Sequence, residues 1–342
     1  PVGGLERTIA DKANFLSAAG HEVLLLTYAQ GREKIFYTLD SRVRHQDMGC
    51  PMHYIYRFPF YRRGMVYFER RRLFRQRFQQ VLTDFRPDTI VITIPNTEDF
   101  IRDMVPIARQ LGARIVIESH LASHFHLVGK PFTERLMCKL FPSHKVLRQA
   151  DLLVALTEHD AQYWRKIVKN VCVIPNPLTS CPSPLVPRLS PHGSHRIIAV
   201  GRLFEQKRFD RLVDAFSKLA SNCPDWSLDI FGEGPLHQQL LQQIDRLHLS
   251  ECVRIQAPTH QIFEEYRRSD IFVLSSDFEG FGLVIIEAMA CGLPVVATDC
   301  PYGPSEIIED GKTGLLAKMD VQDLADKLEW LITHKEERET LG

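Results

Sequence analysis

Short apolar runs alternate with stretches whose apolar residues recur every three or four positions, from near the start of the chain to near its end. The runs predict buried strands, and the three-to-four spacing predicts helices with one apolar face. In the first half, strands are expected at 22–27, 89–94, 114–118, 152–156 and 171–174, and helices at 4–19, 99–111 and 133–148. Residues 179–194 hold Pro182, Pro184, Pro187 and Pro191, which exclude a helix interior or a central strand and mark a linker. The pattern then restarts. Strands are expected at 195–200, 226–231, 253–256, 271–274 and 294–297. Phe209, Leu212, Val213, Phe216, Leu219 and Ala220 form a helical stripe, and further helices are expected at 283–290 and 320–333. No solenoid repeat is visible. Strand–helix alternation of this kind reads as βαβ units on parallel sheets. The expectation is an α/β protein of two doubly wound domains, residues 1–178 and 195–342, with a ligand in the cleft at the carboxyl ends of their strands. The helix at 4–19 has no strand ahead of it, so a first strand is expected before Pro1.

Composition agrees with a globular chain: 44% of the 342 residues are hydrophobic and 25% charged. No apolar run reaches the roughly 18–20 residues of a membrane span; the longest, 283–298, is broken by Glu287, Gly292 and Pro294. The eight cysteines form no Cys-x-x-Cys pair or zinc-type spacing, which fits a reducing cytoplasm. Net charge is zero, but residues 1–180 carry 26 basic and 17 acidic side chains, leaving 42−26=16 and 42−17=25 for the remainder. The first half is thus at +9 and the second at −9, which suggests that the first half meets something anionic. Its basic focus lies at 57–77, where Arg57, Arg62, Arg63, Arg70, Arg71, Arg72, Arg75 and Arg77 accompany a single acid, Glu69. Phe74, Phe78, Val81, Leu82 and Phe85 follow at helical spacing. The segment reads either as an interfacial helix on an anionic membrane or as a helix packed on the domain core with solvated arginines. No recognition-helix motif or aromatic-lined basic strand set accompanies the arginines, so nucleic acid is not expected.

The strongest chemical pattern is Glu279-Gly-Phe-Gly-Leu-Val-Ile-Ile-Glu287, between a buried strand and a helix. Gly280 and Gly282 permit close backbone approach, and the helix N-terminus favours an anion. Glu279 and Glu287 can each accept sugar hydroxyls. Glu287 is set among Ile285, Ile286, Ala288 and Met289, where a charge is rarely buried without a partner. Gly201-Arg202-Leu203-Phe204-Glu205-Gln206-Lys207 follows another strand and places two cations at a helix start, which suits a diphosphate. Gly232-Glu233-Gly234-Pro235 ends a third strand; it lacks the Gly-x-Gly-x-x-Gly spacing, which argues against a dehydrogenase. In the first half, Gly3-Gly4 opens a helix, and His120 follows a strand at its carboxyl end, with His124 and His126 as rivals. No Asp-x-Asp motif or metal-ligand spacing occurs, so no metal or other cofactor is expected, and the charge of a bound diphosphate would fall on fixed cations and helix ends.

These motifs resemble those of the family 4 retaining glycosyltransferases. The resemblance rests on Glu279 and Glu287, on Gly201, Arg202, Leu203 and Lys207, on Gly232, Gly234 and Pro235, and on Pro175-Asn176-Pro177. It implies the GT-B fold, two Rossmann-like domains facing a central cleft, with the acceptor on the first and the sugar nucleotide on the second. It also implies roles. Arg202 and Lys207 would steady the diphosphate, with backbone N–H groups from Gly282 and Leu283, and Gly3 and Gly4 would complete that cradle. Glu287 would take the ribose hydroxyls. Glu279 would lie beside the donor sugar, which His120 would also contact. Gly201, Gly232, Glu233 and Phe281 would line the donor site. The stretch Gly303–Glu306 looks like that of members using UDP-sugars. The implied activity is metal-independent transfer, with retention, of a hexose or N-acetylhexosamine from a UDP-sugar to a glycan or lipid-linked acceptor. A bacterial cell-envelope setting is expected, such as lipopolysaccharide or capsule assembly, in the cytoplasm or at the cytoplasmic face of the membrane. The resemblance further implies a final helix beyond Gly342. Alternatives are a GDP-mannose-type donor, a nucleotide-sugar epimerase or sugar phosphorylase on the same fold, and a non-catalytic sugar-nucleotide-binding protein.

Overall fold

The computed structural model describes residues 4–31, 35–51, 58–94, 100–120, 144–178 and 195–342. The linker 179–194, Gly3, Arg57, His124, His126 and most of the helix expected at 133–148 lie outside them. The chain divides into two units, Pro1–Leu156 with Asp160–Pro177, and Thr157–His159 with Leu178–Gly342.

The second unit is built on a six-stranded parallel sheet. Its strands are β7 (His195–Val200), β8 (Trp226–Phe231), β9 (Val253–Gln256), β10 (Ile271–Leu274), β11 (Val295–Thr298) and β12 (Leu315–Ala317). Their spatial order is β12-β11-β10-β7-β8-β9. Strand sides alternate with a period of two, so each strand feeds both faces. Ile197, Ala199, Ile271 and Val273 face α6 (Phe209–Ser217), α7 (His237–Arg246) and α11 (Val321–Thr333), while Ile198, Phe272 and Leu274 face α8 (Ile262–Arg267) and α9 (Leu283–Ala290); the short α10 (Pro304–Ile307) follows β11. That two-sided burial is why β10 reads as an unbroken apolar run. Asp320 starts α11 by accepting the Asp323 N–H at 2.8 Å. The sequence pattern missed β12, which is three residues long and too short to show a period. The chain runs outward from β7 through β8 to β9, then returns to β10 on the other side of β7. The switch point of the sheet therefore lies between β7 and β10, the place where sheets wound in this way present a ligand site.

The first unit holds a four-stranded parallel sheet of β3 (Thr89–Ile94), β4 (Arg114–Ser119), β5 (Leu152–Ala155) and β6 (Val171–Val173), in that order. A separate parallel pair is formed by β1 (Leu24–Thr27) and β2 (Arg44–Asp47). β2 reads Arg-His-Gln-Asp and carries no apolar signal; its backbone pairing with β1 makes it a strand. The helices are α1 (Gly4–Ala18), α2 (Phe60–Phe85), α3 (Ile101–Gln110), α4 (His144–Leu147) and α5 (Glu158–Trp164). α1 closes on Gly20 at φ +92°, with the His21 N–H returning to the Leu16 carbonyl. Of the two readings of the basic segment, the packed helix describes the second half of α2. Phe74, Phe78 and Leu82 join the core with Phe100, Ile101 and Val105. Several arginines are spent within the unit: Arg70 on the Pro51 carbonyl, Arg77 on the Met48 carbonyl, and Arg71 on Asp103 at 2.6 Å. No described helix is long and apolar enough to cross a membrane.

Candidate active site

The loop after β7 carries Gly201, Arg202 and Lys207, and the loop after β10 carries Glu279, Phe281 and Gly282. Both leave the same edge of the sheet on either side of its switch point, and the structure joins them. Lys207 ends a single 3-10 turn, Glu205–Lys207, and its Nζ donates to Glu279 Oε1 at 2.6 Å. Three more bonds strap that turn to the second loop. The Gln206 side chain donates to the Phe278 carbonyl at 2.8 Å, Asp277 N–H to the Gln206 carbonyl at 2.9 Å, and Ser275 Oγ to the Lys207 carbonyl at 2.8 Å. From the start of α6, Arg211 holds the Ser275 carbonyl at 3.0 Å and Asp277 at 2.5 Å.

Glu279 is only 6% exposed. Its Oε1 also accepts the Ser276 hydroxyl at 2.6 Å, and the Ser276 carbonyl in turn accepts Thr298 Oγ1 at 2.6 Å. A buried carboxylate needs such partners, because leaving one unpaired costs several kcal/mol. Glu287, 8% exposed on α9, receives the phenol of the fully buried Tyr266 at 3.2 Å. Cys300 lies near the pair; burial, and then the negative charge of Glu279, push its thiol up to about 12, so it stays protonated at neutral pH.

Gly282 immediately precedes α9, its φ of +99° suits glycine, and no side chain caps that helix end. Its first N–H groups therefore lack side-chain partners and point where an anion would be favoured. Arg202 is exposed beside Phe204, with its guanidinium 5.4 Å from the ring centroid. Gly232 and Gly234 have a local explanation that the sequence did not give. A Cβ on Gly232 would lie 1.9 Å from the Gly201 carbonyl oxygen, and one on Gly234 would lie 2.5 Å from that of Leu203. The two loops pack backbone to backbone, with Leu203 N–H donating to the exposed Glu233 at its carbonyl, 2.8 Å away. Gly303 does the same for the Gly280–Gly282 turn, since its Cβ would meet the Phe281 carbonyl oxygen at 2.2 Å. Leu283 is the first residue of α9.

In the first unit, His120 follows β4 with its side chain buried, and its Nε2 lies 3.4 Å from Glu118 Oε2. Glu118 also pairs with Lys12 of α1 and accepts Thr93 Oγ1 at 3.4 Å. Burial raises the Glu118 pKa, but the bonds and charges of His120 and Lys12 outweigh it and hold the carboxyl at about 2. Gly4 opens α1, where its carbonyl accepts the Thr8 hydroxyl at 2.9 Å. Sequence reasoning missed Ser276, Tyr266, Arg211 and the Lys12–Glu118 pair. Only Glu118 carried a visible signal, a charge at the end of an apolar strand.

The second unit is a doubly wound α/β sheet with cations, buried carboxylates and an open helix end at its switch point, and the fold is that of the GT-B glycosyltransferases. Residues 3–177 match the glycosyl transferase 4-like domain and residues 187–342 the glycosyl transferases group 1. The chain belongs to this glycosyltransferase family. It is 26% identical over 339 residues to an uncharacterized glycosyltransferase of Haemophilus influenzae, covering 98% of this chain and 88% of that protein. It is 37% identical over 166 residues to the amylovoran biosynthesis glycosyltransferase AmsD of Erwinia amylovora, covering 47% of each. Among solved structures, Anabaena Alr3699/HepE in complex with UDP and glucose aligns over 99% of this chain and 89% of its own, with 20% identity and a TM-score of 0.74, a likeness of fold.

Proposed function

We propose that this chain is a retaining, metal-independent glycosyltransferase that moves a hexose or N-acetylhexosamine from a UDP-sugar to a glycan or lipid-linked acceptor. The observation that carries the reading is the 2.6 Å pairing of Lys207 with Glu279 at the switch point, in the loop that leads to the uncapped start of α9. Arg202, Lys207 and the N–H groups of Gly282 and Leu283 would meet the negative charge that grows on the departing diphosphate; one such donor is worth about 10²–10³ in rate. Glu287 would accept ribose hydroxyls, held in place by Tyr266. Glu279 would accept hydroxyls of the donor sugar. Its Oε1 already takes two bonds of 2.6 Å, which stabilise the anion and make it a poor nucleophile. That favours same-face substitution over a covalent glycosyl-enzyme. The sugar–phosphate bond would break, the acceptor oxygen would attack the face just vacated, and its proton would pass to the leaving phosphate. The roles that the resemblance gives Gly3, Gly4, Gly201, Gly232, Glu233, Phe281 and His120 stay part of this reading.

UDP is preferred because the Anabaena structure holds UDP and glucose, and because relatives from Streptococcus gordonii and S. pneumoniae are UDP-N-acetylglucosamine–peptide transferase subunits. AmsD, named for amylovoran biosynthesis, supports an envelope or exopolysaccharide acceptor. Free thiols at Cys50, Cys172, Cys223, Cys252, Cys291 and Cys300 support a cytoplasmic setting. The test is a thermal-shift screen with UDP, GDP, ADP, CMP and phosphate, run with EDTA and then with magnesium. A ligand at 100 times its Kd stabilises by about 2.7 kcal/mol. A UDP-selective shift that survives EDTA is the expected result. A GDP-selective shift would move the donor to a mannose-type nucleotide, and no shift with any nucleotide would refute the site.

A further inference from the structure

The first half of α2 carries a face that the core does not use. Tyr61, Met65 and Phe68 are 77%, 72% and 69% exposed. They follow one another at spacings of four and three, and the same spacing continues to Arg72 and Arg75, both exposed. All five therefore share one side of the helix. The core-packing side chains Phe74, Phe78 and Leu82 lie on a different side. Isolated exposed apolar residues are ordinary, but three large ones in two consecutive turns form a patch. Beyond the patch the face turns cationic. A cavity of about 540 Å³ is lined there by Phe68, Arg71, Arg72, Arg75, Gln76 and Gln79. Arg71 leans on Asp103 at 2.6 Å and Arg75 reaches the same carboxylate at 3.7 Å, while exposed Arg62 lies over the Tyr61 ring at 5.9 Å.

We propose that this face of α2 seats the protein on an anionic lipid bilayer, with Tyr61, Met65 and Phe68 entering the headgroup–acyl boundary and Arg62, Arg72 and Arg75 meeting lipid phosphates. The charge of the face chooses the occupant. Arg62, Arg72 and Arg75 are exposed on or beside this face, and in sequence residues 57–77 hold eight arginines against one acid, so the surface is complementary to a negative sheet of phosphates. A second copy of the chain would bring a like-charged face and be repelled. The apolar side chains then have a reason to be in water: they are half of a two-part anchor whose other half is electrostatic. The inference does not depend on which nucleotide the second unit binds.

The test is co-sedimentation of the whole chain with vesicles of phosphatidylcholine, alone and mixed with phosphatidylglycerol, at low and high salt. Binding should require phosphatidylglycerol and weaken with salt. The double substitution M65E/F68E should lower binding about tenfold or more, and Arg72→Ser about fivefold. Both sets of side chains are exposed, so the melting midpoint and the UDP-induced shift should stay as in the wild type, which separates loss of docking from loss of fold or of donor binding. Equal binding to neutral vesicles, or undiminished binding by M65E/F68E, would overturn the proposal. So would a dimer in sedimentation velocity that the same substitutions dissociate, because a second copy would then cover the face.

Discussion

Replacing Lys207 with Met separates two jobs that one ammonium does. In the structure it neutralises Glu279 across 2.6 Å, with both side chains largely buried. Removing one partner of a fully buried pair costs about 3–5 kcal/mol. Here Ser276 continues to donate to the same oxygen at 2.6 Å, and the lysine is partly exposed, so about 2–3 kcal/mol of folding stability is the expected loss. The second job is to meet the diphosphate, and its loss should weaken UDP binding about tenfold or more. The double variant K207M/E279Q distinguishes the two. Glutamine leaves no buried charge and still accepts the Ser276 hydroxyl, so urea unfolding should regain about 1–2 kcal/mol relative to K207M. UDP affinity, read by calorimetry, should not return. Recovery of UDP binding in the double variant would show that Lys207 acts only on Glu279. A double variant as unstable as K207M would show that the unpaired charge of Glu279 is not what destabilises K207M.

Tyr266→Phe removes one hydroxyl from a fully buried ring and nothing else. UDP affinity should fall about five- to tenfold while 2′-deoxy-UDP binding changes little, since the loss acts through the orientation of Glu287 toward the ribose; equal losses for both ligands would refute that role. For Glu118, the folded pKa of about 2 lies below the ordinary glutamate value of 4.5, so its contribution is full above about pH 5 and is lost as pH falls toward 2. That contribution is on the order of 3 kcal/mol, and Glu118→Gln should flatten the urea midpoint against pH in this window; an unchanged slope would mean that the Lys12 and His120 contacts are not formed in solution.

Much of the architecture was legible because burial on both faces of a parallel sheet writes itself into the chain as apolar runs. β7, β8 and β10 were readable for that reason. β2 and β12 were not, because backbone pairing with a neighbour, and not side-chain pattern, makes them strands. The buried half of α2 showed its stripe at 74–85. Its exposed stripe of Tyr61, Met65 and Phe68 follows the same period, and only the fold tells which of two apolar stripes meets the core.

The candidate site divides in the same way. Local spacing marked Glu279, Glu287, Arg202 and Lys207, because a charge at a strand end or inside an apolar helix needs a partner, and that requirement is visible in sequence. The identity of the partner is not. Lys207 finds Glu279 across 72 positions and Tyr266 finds Glu287 across 21. The resemblance gives Gly232 a place in the donor site, and the fold adds a second duty for it and for Gly234, to admit the backbone of Gly201 and Leu203. The sequence by itself determined which segments are buried and which charges demand company. The tertiary structure decided which residues meet, because parallel order brings the ends of β7 and β10 together at the one place where the winding of the sheet reverses.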